Sequence, residues 1–358
     1  MNGMPSLPPP SQRSAELRKG CPAQDDLPVC GGGRMSPSSP LRALVTGASG
    51  FIGRALCLEL TNQGWEVTAI LRRPQTGPWR HVLECDLGRD EIDPRDLEGL
   101  DTIFHLAGKA HTRARNAAEN AEYEAVHVHG TRSLLRAARQ AGVSSCVLLS
   151  SVKVMGEGGE DVWDESTTCS PQNPYGVTKL AAERIVLEEF PLSCPVVLRP
   201  TLVYGAGSKG NLDLMIRAVR KGFFPAITFP PNRRSMIHVQ DVVRACLLAA
   251  THSLACGQVY ILTDDGEYST NEMLAWIHEA LGKKPGPFVP YAALRAGAAL
   301  GDTLERFGIH APLNGDRLTK LAGSARYSSV KIRRELGFDP AWDLRRGIYE
   351  MVEGLRRQ

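Results

Sequence analysis

The run Thr46-Gly47-Ala48-Ser49-Gly50-Phe51-Ile52-Gly53 constrains the fold more than any other stretch of the chain. It follows a short apolar segment, Leu41–Thr46, and opens Phe51–Asn62, where Ile52, Leu56 and Leu60 recur at helical spacing. Bare backbone at Gly47 and Gly50 permits a tight turn and close approach of a diphosphate, whose charge the helix N–H groups can meet. Gly53, already inside the helix, lets it lie close to the strand. A glycine triplet alone is weak evidence, but strand before and helix after supply the context it requires. Gly47, Ser49, Gly50, Phe51, Ile52 and Gly53 are therefore expected to hold a dinucleotide.

The strand–helix rhythm continues. Glu66–Leu71, Val82–Cys85, Thr102–Leu106, Cys146–Ser150 and Pro195–Arg199 are short apolar runs, with helical stretches at Ala121–Ala141 and Pro174–Phe190. Alternation on this scale predicts an α/β protein with a doubly wound parallel sheet and right-handed crossovers. After about Pro200 the rhythm loosens. Asn211–Lys221, Gln240–Thr251, Thr270–Leu281 and Leu344–Leu355 read as helices, and Ser235–Val239 and Val259–Leu262 as strands. The expected organisation is a dinucleotide-binding domain over 41–200 and, over 201–358, mainly a smaller substrate lobe with some segments returning to the first domain.

Residues 1–40 stand apart, with eight prolines and the run Gly31-Gly32-Gly33. Such a segment buries too little apolar surface to offset its ordering entropy, so the expectation is a disordered tail, or an extension ahead of a start at Met35. The formal charge of +3 over 358 residues gives no argument for nucleic acid or an anionic membrane as partner. No apolar run reaches the ~18 residues of a membrane span. The nine cysteines show no C-x-x-C spacing, so neither a metal site nor a redox motif is expected. With no secretory pattern near Lys19, the reading is a cytoplasmic protein.

The end of the second strand bears on the choice of dinucleotide. An NAD site places an acidic residue there, about 20 positions past the glycines. This chain has Leu71-Arg72-Arg73, with no Asp or Glu between Val67 and Gln75. Two guanidinium groups suit a 2′-phosphate, which favours NADP(H) over NAD; a solvated basic loop is the alternative. Asp86, at the end of the third strand, is placed to accept from an adenine amino group or to cap a turn.

Tyr175 and Lys179 lie one helical turn apart, after the helix-start signal Asn173-Pro174. A phenol near pKa ~10 is a poor acid–base at neutral pH, and a nearby ammonium is expected to lower that value. Ser150-Ser151 ends the preceding strand, at the sheet edge where ligands bind, and a hydroxyl there can orient a carbonyl.

Thr46–Gly53, Asp86-Leu87, His105-Leu106-Ala107-Gly108, Ser150-Ser151, Tyr175–Lys179 and Leu198-Arg199-Pro200 occur in the order and spacing of the extended short-chain dehydrogenases. The resemblance is to the NAD-dependent epimerase/dehydratase family and covers about residues 41–340. It implies a Rossmann domain with a smaller substrate lobe, and Ser151, Tyr175 and Lys179 as catalytic positions. Asp86, Leu87 and the backbone of Leu106, Ala107 and Gly108 would join the glycine loop, Tyr175 and Lys179 at the cofactor. Asn211-Leu212 and Arg233–Asp241 resemble the nucleotide-sugar branch, which implies Arg234 on a diphosphate and Asn211 on the nucleotide. His238 is expected to cap or pack, and Asp241 to be structural. Dimerisation through Ala121–Ala141 and Pro174–Phe190 is implied by the resemblance alone.

Two departures matter. Ser151 is followed by Val152-Lys153-Val154-Met155-Gly156, which lacks the family's frequent Tyr before the glycine. That run resembles a bacterial polysaccharide sub-branch of 4-epimerases and 4-keto-6-deoxysugar reductases. His127 stands where the family often has Asn, and an imidazole can also donate and accept. With Val152-Lys153 in place of an Asp-Glu pair, coupled dehydratase activity is not expected. The resemblance thus implies hydride transfer at C4 of a nucleotide-linked sugar. The Arg72-Arg73 pair favours a reductase acting on a UDP-4-keto-6-deoxy-hexosamine. The alternatives are a UDP-glucose or UDP-N-acetylglucosamine 4-epimerase and, less favoured because Tyr175 and Lys179 are both present, a silent NADP-binding regulatory module.

Overall fold

The structure, a computed structural model, describes residues 40–108, 117–189, 194–222, 224–307, 311 and 313–357. The expected tail, Cys21 and Cys30 lie outside the described residues. From Pro40 onward the chain forms one compact unit.

Its centre is a seven-stranded sheet. Strands β1 (Arg42–Thr46), β2 (Glu66–Leu71), β3 (His81–Glu84), β4 (Thr102–His105) and β5 (Ser145–Leu149) alternate with α1 (Phe51–Asn62), α2 (Ala117–Glu124) and α3 (Thr131–Gln140). A two-residue strand β6 (Val162–Trp163) and α4 (Pro174–Glu189) precede β7 (Cys194–Pro200). The rest comprises β8 (Leu202–Tyr204), α5 (Asn211–Arg220), β9 (Arg234–His238), α6 (Val239–Thr251), β10 (Val259–Leu262), β11 (Glu267–Tyr268) and α7 (Thr270–Leu281). Then come α8 (Tyr291–Arg306), α9 (Gly315–Ala322), β12 (Arg326–Tyr327), α10 (Val330–Leu336) and α11 (Leu344–Arg356).

The order β10-β7-β5-β4-β1-β2-β3 is parallel throughout. The order reverses between β1 and β4, so the loops leaving those strands diverge and open a crevice at their carboxyl ends. Alternation along β1 divides the core. Ala43 and Val45 face Leu56, Leu60, Val243 and Cys246 on one side, while Leu44 faces Leu134, Cys146 and Ile185 on the other. A separate core beneath β8, β9 and β11 joins Tyr204, Ile216, Met236, Tyr268, Ile277 and Ile348.

The expected single helix Ala121–Ala141 is instead broken. Between α2 and α3 the chain makes a π-helical turn over Ala125–Gly130, which contains His127. Such turns insert an extra residue and re-aim side chains, and they recur at functional sites. The two-residue strands and the helices α8 to α10 were not legible from periodicity.

Candidate active site

Gly47 shows why its position is glycine. It sits at φ +66°, and a Cβ there would lie 2.9 Å from the backbone of Leu106 and Ala107. The loops after β1 and β4 therefore abut at the switch point. A Cβ on Gly53 would lie 2.2 Å from the carbonyl oxygen of Gly47, so α1 can approach β1 only with glycine there. No side chain caps α1, and its N-cap is Gly50. Uncapped N–H groups above a backbone cradle fit a dinucleotide diphosphate. Ser49 and Gly50 are exposed, Phe51 and Ile52 half-buried.

A buried chain of hydrogen bonds fixes the floor of this crevice. Ala107 N–H donates to Thr46 Oγ1 (2.9 Å), whose hydroxyl contacts His105 Nδ1 (2.7 Å). His105 Nε2 meets Thr131 Oγ1 (2.9 Å), which donates to the His127 carbonyl (2.6 Å). Because the Thr131 proton is committed to that carbonyl, its oxygen accepts from His105 Nε2–H. His105 Nδ1 is then the acceptor and Thr46 the donor. Burial, with the Lys179 charge behind it, pushes His105 down to about 3, so the imidazole is neutral. The loop Leu106–Gly108 is thereby tied to β1 and to the π-helical turn.

Ser151, Tyr175 and Lys179 meet beside that floor. Ser151 is buried; its Oγ accepts from Lys153 N–H (3.2 Å) and hydrogen-bonds the Tyr175 phenol. The Tyr175 ring packs edge-on against Tyr123 and His127, with centroids 6.1 and 5.6 Å apart. Lys179 is buried, and its Nζ donates to the carbonyls of Leu149 (3.0 Å) and Ala107 (3.5 Å). The expectation that this ammonium makes Tyr175 more acidic needs correcting. Burial raises Tyr175 to about 12, opposed chiefly by the Ser151 hydrogen bond. Lys179 is itself lowered to about 8 by desolvation, which outweighs the opposing pull of the Glu183 carboxylate.

His127 completes the cluster. Thr178 Oγ1 donates to the Pro174 carbonyl (2.9 Å) and lies 2.8 Å from His127 Nδ1. It therefore accepts from Nδ1–H, which leaves His127 Nε2 as a bare acceptor. That nitrogen is buried and has no partner among the described residues. Burial, then the charge of Lys179, push His127 down to about 2, so it stays neutral.

Sequence reasoning missed the layer beneath. Glu183, one turn beyond Lys179 on α4, binds Arg199 through two hydrogen bonds (3.0 and 2.6 Å) and accepts from Ser150 Oγ (2.5 Å); all three residues are buried. The spacing 175, 179, 183 carried the signal, since a buried acid on that stripe requires a buried partner. Tyr123 was missed as well.

The other expected residues are dispersed around this centre. Arg72 and Arg73 are exposed at the end of β2. Asp86 is half-buried, with its backbone N–H on Asp90 (2.7 Å) and Arg89 3.7 Å away, and Leu87 is buried. Asn211 is exposed at the uncapped N-terminus of α5. Arg234 opens β9, its Nε buried and without a partner among the described residues. Desolvation lowers its pKa, with Tyr327 alongside. The segment after Ser151 runs to β6, which pairs with β12 at Trp163 and Tyr327, and Ala325 bridges to Arg234. His238 caps α6, stacks on Trp342 (3.9 Å) and pairs with Glu350 (3.1 Å). Asp241 is buried and accepts from the backbone of Ala341 and Trp342.

Residues 43–262 match the NAD dependent epimerase/dehydratase family. A 4-hydroxy-2-methyl-3-oxo-4-farnesyl-3,4-dihydroquinoline-1-oxide ketoreductase of Stigmatella aurantiaca is 31% identical, over 83% of this chain and 92% of that protein. A UDP-glucose 4-epimerase of Vibrio cholerae is 28% identical, over 91% and 98%. The structure of MoeE5 in complex with UDP-glucose and NAD superposes with a TM-score of 0.70 at 30% identity, covering 88% of this chain and 99% of that one. Glycine cradle, strand order and matched span agree: the chain belongs to the NAD dependent epimerase/dehydratase family.

Proposed function

We propose that the protein is a cytoplasmic NADPH-dependent reductase acting at C4 of a nucleotide-linked 4-keto sugar, of the UDP-4-keto-6-deoxy-hexosamine class. The observation that carries this reading is Tyr175, half-buried, hydrogen-bonded to Ser151 and held protonated by desolvation. A ketone reduction needs a proton donor at the nascent alkoxide, and a phenol near 12 is in the donor state at neutral pH. Dinucleotide, when bound, supplies the hydride. Ser151 orients the carbonyl oxygen, and Tyr175 delivers its proton there. Lys179 sits within reach of the Ala107 carbonyl, against the loop that would carry the nicotinamide ribose.

Gly47, Ser49, Gly50, Phe51, Ile52 and Gly53 would hold the diphosphate, with Leu106, Ala107 and Gly108 opposite. Arg72 and Arg73, exposed and free of acidic neighbours in sequence, would meet a 2′-phosphate, while Asp86 and Leu87 flank the adenine. Arg234 is read as the substrate's diphosphate partner, since a half-buried guanidinium whose buried Nε–H goes unused is costly unless an anion completes it. Asn211 would contact the nucleotide. Dimerisation through the faces of α2–α3 and α4 is proposed by family likeness.

The Vibrio cholerae relative favours a second reading, a UDP-sugar 4-epimerase that keeps NAD bound through both half-reactions. One assay separates them. Stoichiometric NADPH oxidation with a UDP-4-keto sugar is expected; tightly retained NAD and interconversion without added cofactor would overturn the reductase reading. Tyr175→Phe should abolish turnover while leaving dinucleotide affinity nearly intact.

A further inference from the structure

Cys194 and Cys256 are distant in sequence and adjacent in the fold. Cys194 opens β7, and Cys256 lies three residues ahead of Val259, where β10 begins. The two strands pair in parallel with Val259 opposite Val197, so the same register carried three residues back sets Cys256 opposite Cys194. Backbone bonds run most of that way: Gly257 N–H donates to the Pro195 carbonyl (2.7 Å), and Val197 N–H to the Gln258 carbonyl (3.0 Å). Neighbouring strands lie ~4.8 Å apart, and a disulfide spans Cα separations of roughly 4.4–6.8 Å, so these positions suit a cross-strand bridge. Both residues are thiols in this structure, and their side chains hydrogen-bond each other.

Their surroundings give the two sulfurs different roles. Cys256 is exposed, whereas Cys194 is half-buried. Burial first, then the hydrogen bond to Cys256 and the charge there, push the Cys194 thiol up to about 12. Cys194 is thus a poor nucleophile while Cys256 keeps its thiol, and the surface sulfur reacts first. Once Cys256 is capped, its charge is gone and only burial still holds the Cys194 thiol up. The other described cysteines are arranged differently. Cys57, Cys85, Cys146 and Cys246 are buried, which raises each thiol, and Cys169 hydrogen-bonds Arg199.

We infer that Cys194 and Cys256 form a thiol–disulfide modification site, which a low-molecular-weight disulfide converts into a bridge pinning β10 to β7. In the first step the Cys256 thiolate attacks one sulfur of the small disulfide. That S–S bond breaks, one thiolate leaves and a mixed disulfide forms on Cys256. In the second step the Cys194 thiolate attacks the Cys256 sulfur and expels the other thiolate. Two protein thiols are oxidised to one disulfide and the small disulfide is reduced to two thiols; the protons of Cys194 and Cys256 pass through solvent to the two leaving thiolates. Cys194 pairs with Ser145 at the amino end of β5, whereas Ser151 follows that strand's carboxyl end. The bridge therefore forms at the opposite end of the sheet from the catalytic residues. The inference goes beyond the proposed reaction and does not depend on it.

The test treats the reduced full chain with oxidised glutathione and follows it by peptide mapping and thermal melting. Wild type should yield a linked peptide holding Cys194 and Cys256, with glutathione on neither. Its melting temperature should rise by a few degrees over Cys194→Ser treated alike, because the bridge restricts the unfolded chain, and the rise should vanish on reduction. Cys194→Ser should stop at a stable glutathione adduct on Cys256, and Cys256→Ser should take up glutathione at position 194 roughly tenfold more slowly. A wild type that stays unmodified at both positions, that keeps glutathione on Cys256, or that links Cys256 to Cys21 or Cys30 overturns the inference. So does a Cys194–Cys256 bridge that leaves the melting temperature where it was, since β10 would then not be pinned.

Discussion

His127 Nε2 and Lys179 Nζ converge on one point of backbone: a Cβ on Gly108 would lie 3.0 Å from the first and 3.3 Å from the second. Gly108→Ala therefore presses on both groups at once, and kcat should fall about tenfold with the fold retained. At position 127 itself, Asn preserves a polar acceptor and should keep kcat within about threefold, whereas Leu should cost about tenfold. Equal kinetics for the Asn and Leu variants would remove any role for that acceptor.

Lys179 sets a pH signature of stability in the dinucleotide-free protein. Its folded pKa is about 8 against 10.5, so between those values the unfolded chain binds more protons than the folded one. Stability contributed by this site therefore rises with pH across that window, and below about 8 the burial penalty is present in full. Lys179→Met should be the more stable protein at pH 7, by at most about 3 kcal/mol, with the gap narrowing toward pH 10. Above pH 10 the trend reverses. Tyr175, raised from 10 to about 12, then keeps a proton that the unfolded chain releases. Thermal melts of the two proteins across pH 7–11 check both signs; a gap that stays constant with pH would contradict the burial of the ammonium.

Arg234 separates binding from folding. Its buried Nε lacks a partner, so Arg234→Met removes an uncompensated desolvation cost and should raise the melting temperature by a few degrees. The same change should raise KM for a nucleotide-linked substrate about a hundredfold with kcat far less affected. Calorimetry and steady-state kinetics on one preparation measure both.

Glu183 should behave in the opposite way. Glu183→Gln leaves the buried Arg199 guanidinium without its countercharge and should cost ~3 kcal/mol by chemical denaturation. Glu183→Gln with Arg199→Met should recover much of that loss, because the pair is removed together.

The parallel sheet and its glycine turn were legible because each rests on local rules: apolar runs of strand length, a turn that only bare backbone can make, and a helix after it. The need for glycine at positions 47 and 53 was legible for reasons the geometry repeats, since a Cβ at either would strike backbone. Spacing and a strand end pointed to Ser151, Tyr175 and Lys179, three residues that the fold brings together. What lay out of reach depended on partners distant in sequence. The pairing of β6 with β12 joins Trp163 to Tyr327, and two-residue strands leave no periodicity to read. The lowering of the Tyr175 pKa was argued from an i, i+4 neighbour alone. Burial, a property of the whole fold, outweighs it.

One strand has a consequence for biosynthesis. β10, from residues 259–262, is the outermost member of the sheet on the β7 side, hydrogen-bonded to Val197–Pro200. While the chain emerges from the ribosome, β7 can take its place beside β5 about sixty residues before its other edge is covered. During that interval a row of unpaired, apolar backbone is open to any passing strand. Truncation between Thr201 and Gln258 makes the exposure permanent, and such fragments should accumulate as aggregates instead of as a working half-enzyme.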